Sequence, residues 1–225
     1  ERLSALGVRH AGSIAEIARA CHHVVLAVFD TGQVEDAVEG SGGLLSVPMP
    51  ERAVRTALVS STCEPDSIAS LAGRAGERGL ALVELPVSGT SDQVARGDGV
   101  GLIAGDRAAA EDAKAVIAAI CPRTYHMGAP GNGARTKLAV NHILGLNRAA
   151  LAEGLVFAAR LGLPLDAFLD AAKGSAAYSQ IMDVKGAKMI ARDFSPHGKV
   201  KQSLKDFGMI LGNAARLGQE LPLAT

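Results

Sequence analysis

Lys137 and Asn141 stand four residues apart in Gly-Ala-Pro-Gly-Asn-Gly-Ala-Arg-Thr-Lys-Leu-Ala-Val-Asn-His-Ile-Leu-Gly-Leu, residues 128–146. In a helix they share a face, and Gly145 continues that stripe with no side chain to block approach, so a pocket could open there. An amine so placed could trade a proton with an alcohol or carbonyl oxygen, and the amide could orient that oxygen. Spacing alone leaves a plainer reading open, in which Lys137 snorkels from the first turn and Asn141 bonds a nearby carbonyl. A second chemistry-bearing stretch is Pro86-Val87-Ser88-Gly89-Thr90. Its proline-stiffened turn offers a hydroxyl and successive backbone N–H groups, which suits a carboxylate or phosphate oxygen. An ordinary strand-to-helix turn has the same composition.

These residues need elements to hold them. Gly128, Pro130, Gly131 and Gly133 break whatever precedes them, and no proline follows until Pro164, while leucines, Ile143 and Val156 recur among alanines. The pattern predicts one helix over 133–160, about 42 Å long. Apolar residues on nearly every face predict that it is buried. Before it, short apolar runs alternate with helical patterns. The strands are expected at 23–29, 57–62, 80–85, 100–104 and 123–127. Helices are expected at 13–20, 33–38, from Glu64 to near Gly79, and at 107–120. Ser13 with Glu16 three later is a helix start. Alternation of this kind is the α/β pattern, in which ligands sit beyond the carboxyl ends of the strands. Phe29-Asp30-Thr31, Ser61-Thr62 and the Ser88 turn occupy those ends. After the long helix, 165–172, 178–191 and 200–217 read as further helices, so the second half is all-α. The domains are expected at 1–130 and 131–225.

Composition excludes several functions. Lys plus Arg and Asp plus Glu number 23 each, no basic run stands out, and aromatic residues make up only 3%, with no Trp. Neither nucleic acid nor an anionic membrane is expected as a partner. The apolar segments are short, apart from a long helix that carries Lys137, Asn147, Arg148 and Glu153, so no membrane span is expected. Cys21, Cys63 and Cys121 are far apart and without a CxxC, which predicts a reducing, cytoplasmic setting and no disulfide framework. No metal is expected: the histidines offer no HxxH or HxxxH pair, and adjacent His22 and His23 would point apart in any regular element.

With both halves laid out, the chain resembles the β-hydroxyacid dehydrogenase family across nearly its whole length. The family's substrate signature is matched by Leu85-Pro86-Val87-Ser88-Gly89-Thr90, Ala95, Gly97 and Leu102-Ile103-Ala104-Gly105. Its catalytic signature, Gly-x-Gly-x-x-x-Lys-x-x-x-Asn, is matched by Gly131 to Asn141. A late Lys-Asp pair is matched by Lys205-Asp206. The resemblance implies a Rossmann-like α/β domain followed by an all-α domain, entered through the long helix. It also implies an oxidoreductase that moves a hydride between NAD or NADP and a small β-hydroxy acid or its semialdehyde. Lys137 would be the acid/base. Ser88, Gly89 and Thr90 would hold the substrate carboxylate, and Asn141 would orient the reacting oxygen. Phe29, Asp30, Thr62 and Lys205 would line the nicotinamide side of the cofactor site. A homo-oligomer, dimer or tetramer, is implied as well.

The chemistry of lysine agrees with that role. A solvated lysine, with a pKa near 10.4, is only about 0.04% neutral at pH 7, so a lysine base must be shifted toward ~7–8. Burial where two halves meet and the positive end of its own helix both push that way, at roughly 3–4 kcal/mol of stability.

The chain departs from the family in three places. It opens on Glu1, without the family's first strand, Gly-rich phosphate loop and second strand, which chooses NAD or NADP; those residues are expected to exist in the protein ahead of Glu1. Phe194-Ser195-Pro196-His197-Gly198 stands where the family has Pro-Gly-aromatic, so an aromatic wall of the pocket is expected to be lost. A final helix is expected after Thr225. Within the superfamily, Val140 stands where 6-phosphogluconate dehydrogenases have His, and Lys137 stands where imine reductases have another residue. A non-catalytic scaffold of the same fold is the alternative from a different class, and the joint presence of Lys137, Ser88 and Asn141 speaks against it.

Overall fold

A computed structural model describes residues 4–195 and 199–224. The chain divides into two compact units, the first ending at Lys137 and the second beginning at Leu138. The division falls inside a helix, a few residues beyond the boundary expected at 130.

The first unit is α/β. In chain order it comprises α1 (Ile14–Ala20), β1 (His23–Leu26), α2 (Thr31–Glu39), β2 (Thr56–Val59), α3 (Pro65–Glu77), β3 (Ala81–Glu84), β4 (Val87–Ser88), α4 (Ser91–Ala95), β5 (Val100–Gly105), α5 (Arg107–Asp112), α6 (Lys114–Ile120) and β6 (Arg123–His126). Local chemistry sets the helix starts. Ser13 and Asp30 accept the N–H of the residue three further on at α1 and α2, and α3 begins on Pro65, whose missing N–H is no loss there. The predicted helix over 107–120 is two helices, broken at Ala113.

β1, β2 and β3 run parallel, and so do β5 and β6. β3 and β5 are antiparallel, as are β4 and β5. β4 was not anticipated; its stretch reads as a turn because Pro86 interrupts it. Pro86 lacks an N–H but its carbonyl still accepts from Leu102 at 3.0 Å, so 81–88 follows β5 as one bent strand. A parallel return needs a crossover of a dozen or more residues, usually a long helix, whereas only the five-residue α4 lies between β4 and β5. Buried Val, Leu, Ile and Ala side chains fill both faces of the sheet, with Val34, Val38, Leu71 and Leu80 in one cluster and Leu58, Val83, Leu85 and Ile117 in another.

α7 (Asn132–Arg160) has the predicted extent. It is followed by α8 (Leu165–Lys173), α9 (Gln180–Ile190) and α10 (Val200–Arg216). Leu151 and Leu155 pack with Leu169, Ile181 and Met182 to form the second unit's core. The expectation of all-round burial is not met: Ile143, Val156 and Phe157 are 59%, 63% and 66% exposed. One stripe of α7, with Leu151 and Leu155, packs against α8 and α9, while Ile143, Val156 and Phe157 lie on the surface. Among the described residues, no helix is long and apolar enough to cross a membrane.

Candidate active site

Lys137 is 9% exposed, and its Nζ donates to the carbonyl of Val87 at 2.7 Å. Val87 immediately precedes Ser88, so the amine is fixed to the turn that carries the candidate anion-binding groups. Ser88 is half-buried, and its hydroxyl has no hydrogen-bond partner among the described residues. Gly89 has a φ of +144°, which a side chain would strain. Thr90 is already partly committed. Its hydroxyl oxygen accepts from Gln93 N at 3.3 Å and its N–H donates to Gln93 Oε1 at 2.8 Å, a capping box that starts α4. Its hydroxyl proton remains available to a ligand, but its backbone N–H does not, which narrows the expected row of free N–H groups.

The two glycines of the Gly-x-Gly motif have distinct physical reasons. Gly131 has a φ of +91°, and a Cβ there would lie 2.9 Å from the Pro65 carbonyl. A Cβ on Gly133 would lie 2.9 Å from Glu84 Cβ and 3.0 Å from the Leu102 carbonyl. The bare Gly131 lets the start of α7 close down on α3, and the bare Gly133 lets it close down on Glu84, the last residue of β3. Glu84 is 3% exposed; its carboxylate accepts from Gly131 N at 2.5 Å and Ala134 N at 2.7 Å. Burial pushes its carboxyl above the usual range, opposed by hydrogen bonds from the N–H groups of Ala134, Gly131 and Gly133 and by the charge of Arg135. Arg135 also pairs with Asp66 at 2.8 Å, tying α7 to α3. Sequence reading passed over Glu84; the available signal was a carboxylate at the end of an apolar strand ahead of a helix with no capping side chain of its own.

The carboxyl ends of β1 and β2 are knitted together. Ser61 Oγ donates to Val28 O at 2.7 Å and accepts from Val28 N at 2.9 Å, and Thr31 Oγ1 accepts from Glu64 N at 2.9 Å. Asp30 Oδ1 accepts from Gln33 N and Phe29 N–H donates to Gln33 Oε1, so both serve the start of α2. Val28 and Phe29 are each 36% exposed, and Thr62 is half-buried. Partly exposed apolar groups and a hydroxyl at strand ends fit the nicotinamide half of a dinucleotide.

In the second unit, Asn141 Nδ2 donates to Asp206 Oδ2 at 2.9 Å, and Lys205 Nζ lies 3.3 Å from Asp206 Oδ1 as an ion pair without hydrogen-bond alignment. Asp206, 8% exposed, thus organises both residues expected here. It sits in the Lys-Asp motif, where only the lysine had been given a role. The opening expected over Gly145 is absent: a Cβ there would run into the Phe207 ring of α10, which occupies the space. The departure at Phe194 to Gly198 falls largely on residues 196–198, outside the described residues.

Two further clusters lie away from these groups. His22 Nε2 and His23 Nε2 are 3.3 and 3.8 Å from Asp112 Oδ2, contrary to the expectation that they diverge. His22 precedes β1 rather than lying in it, so strand alternation does not apply. The His22 and Asp112 side chains are more than half exposed, and His23 Nδ1 is buried without a hydrogen-bond partner among the described residues. A cleft of about 510 Å³, lined by Ile103, Arg107, Lys114, Cys121, Thr124 and His126 among others, contains none of the site residues.

The sequence model for the NAD binding domain of 6-phosphogluconate dehydrogenase matches residues 1–128. The model for the NAD-binding region of NADP-dependent 3-hydroxyisobutyrate dehydrogenase matches residues 131–225. The chain belongs to the β-hydroxyacid dehydrogenase family and is an NAD(P)-dependent hydroxyacid or semialdehyde dehydrogenase. It is 29% identical over 225 residues to L-threonate dehydrogenase of Cupriavidus necator, covering 100% of the chain and 75% of that protein. With L-threonate dehydrogenase of Escherichia coli K12 it shares 30% over 203 residues, 90% of the chain, and spans 66% of that protein's length. The solved 3-hydroxyisobutyrate dehydrogenase of Salmonella typhimurium superposes with a TM-score of 0.82 at 28% identity, over 94% of this chain and 73% of that one.

Proposed function

We propose that Lys137 is the general acid/base in the interconversion of a small hydroxy acid and its carbonyl counterpart. The observation that carries this reading is the buried amine bonded to the carbonyl just ahead of Ser88. A carboxylate held by the Ser88 hydroxyl, the Gly89 N–H and the Thr90 hydroxyl proton would place an oxygen a few bonds away against Nζ. The nicotinamide, when bound, supplies or accepts the hydride. In reduction the Lys137 ammonium gives its proton to the carbonyl oxygen; in oxidation the neutral amine takes the hydroxyl proton. Asn141, held by Asp206, is assigned to orient that oxygen, and Phe29, Asp30, Thr62 and Lys205 to the nicotinamide side. The names of the relatives support L-threonate and 3-hydroxyisobutyrate as first substrates to try. The exposed Ile143, Val156 and Phe157 support a homo-oligomer in which α7 is covered by another copy, which light scattering would measure.

The test is a screen of the full-length protein. L-threonate and 3-hydroxyisobutyrate are offered with NAD and NADP, and tartronate, methylmalonate and succinate semialdehydes with NADH and NADPH. Turnover of at least one, lowered by about 10²–10⁴-fold in Lys137→Ala, is expected. Full turnover in that variant would remove the role.

A further inference from the structure

The segment from Glu84 to Ser88 grips the first turns of α7 at two points. The Glu84 carboxylate holds the N–H groups of Gly131 and Ala134, and three residues later the Val87 carbonyl holds Lys137 Nζ. We propose that Glu84 is a positioning residue for proton transfer: by anchoring the start of α7 to the strand that carries Ser88, it sets the Lys137 amine against the substrate's carboxylate site. This rests on the reading of Lys137 as the acid/base.

A nearby serine or aspartate cap would satisfy the free N–H groups equally well but would couple the helix to nothing else. Glu84 stands 47 residues before its first partner, so its hydrogen bonds transmit the position of the bent strand directly to the helix. Both oxygens are used as acceptors, and the N-terminal end of a helix favours a negative charge. Glutamine keeps the shape yet offers one oxygen, turning its NH₂ on a backbone N–H. Aspartate keeps the charge and both oxygens on a shorter stem.

The test compares Glu84→Gln, Glu84→Asp, Lys137→Ala and the Glu84→Gln/Lys137→Ala double variant in the full-length enzyme. The probe is 3-hydroxyisobutyrate or L-threonate, whichever is oxidised faster. Misplacing a reacting group by about 1 Å costs about 100-fold in rate. Glu84→Gln is expected to lose about 10- to 100-fold in kcat with KM within about twofold, and Glu84→Asp to recover most of it. In the Lys137→Ala background, Glu84→Gln should lose nothing further, because the group it positions is gone. Wild-type kcat in Glu84→Gln with an inactive Lys137→Ala would overturn the inference and leave the acid/base reading standing. An active Lys137→Ala would overturn that reading itself. Should Glu84→Gln not fold, Gly133→Ala crowds the same contact with the charge retained, and an unchanged kcat there would also overturn the inference.

Discussion

Lys137 Nζ and the Val87 carbonyl are 2.7 Å apart, which binds the amine of a helix to the residue before the Ser88 hydroxyl. The bond couples the position of that amine to the position of the turn, so a shift of either moves the other.

Lys137→Ala in the full-length enzyme should lower kcat by about 10²–10⁴-fold, the usual contribution of a positioned acid/base, with little change in cofactor affinity. Stopped-flow rates in both directions, with cofactor titration by fluorescence, check the pair.

Glu84 also makes stability depend on pH. Its folded pKa is raised, chiefly by burial, so between the folded and unfolded values the folded state holds more protons. Its contribution therefore weakens as pH rises through the folded value and grows as pH falls toward the ordinary carboxylate range. Denaturant titrations from neutral to mildly acid pH should show the stability difference between wild type and Glu84→Gln moving in favour of the wild type.

Gly133→Ala should destabilise the first unit by about 1–3 kcal/mol, since its Cβ meets Glu84 Cβ at 2.9 Å and a backbone carbonyl at 3.0 Å. Gly131→Ala adds the strain of a φ of +91° to a 2.9 Å approach to Pro65 O and should be at least as damaging. Chemical denaturation of the two variants measures both.

The thiols should separate cleanly. Cys21 is exposed, whereas Cys63 and Cys121 are buried, and burial pushes the Cys121 thiol above its usual range. A thiol reagent should modify Cys21 alone in the native protein and the other two only after unfolding, as mass spectrometry of the labelled peptides would report.

Much of this was legible from residue order. The alternation of apolar runs with helical patterns gave the α/β half, and the proline-free stretch after Gly133 gave α7 to within a residue of its start. Lys137 and the Ser88 turn were singled out from residue type and position. What escaped depends on partners distant along the chain. β4 is a strand only because β5 lies beside it, and the space over Gly145 is closed by Phe207, a residue of α10. Asp206 and Glu84 act by receiving hydrogen bonds from residues dozens of positions away, which periodicity does not register. His22 and His23 meet Asp112 because a strand begins between them.

The tight fit of Gly131 against Pro65 and of Gly133 against Glu84 also limits how this protein can diverge. A side chain at either glycine collides before any benefit accrues, and losing the acid strands the amide groups it serves. Single substitutions are thus penalised at both glycines and confined to another acid at position 84, so larger change there requires several residues to be exchanged together.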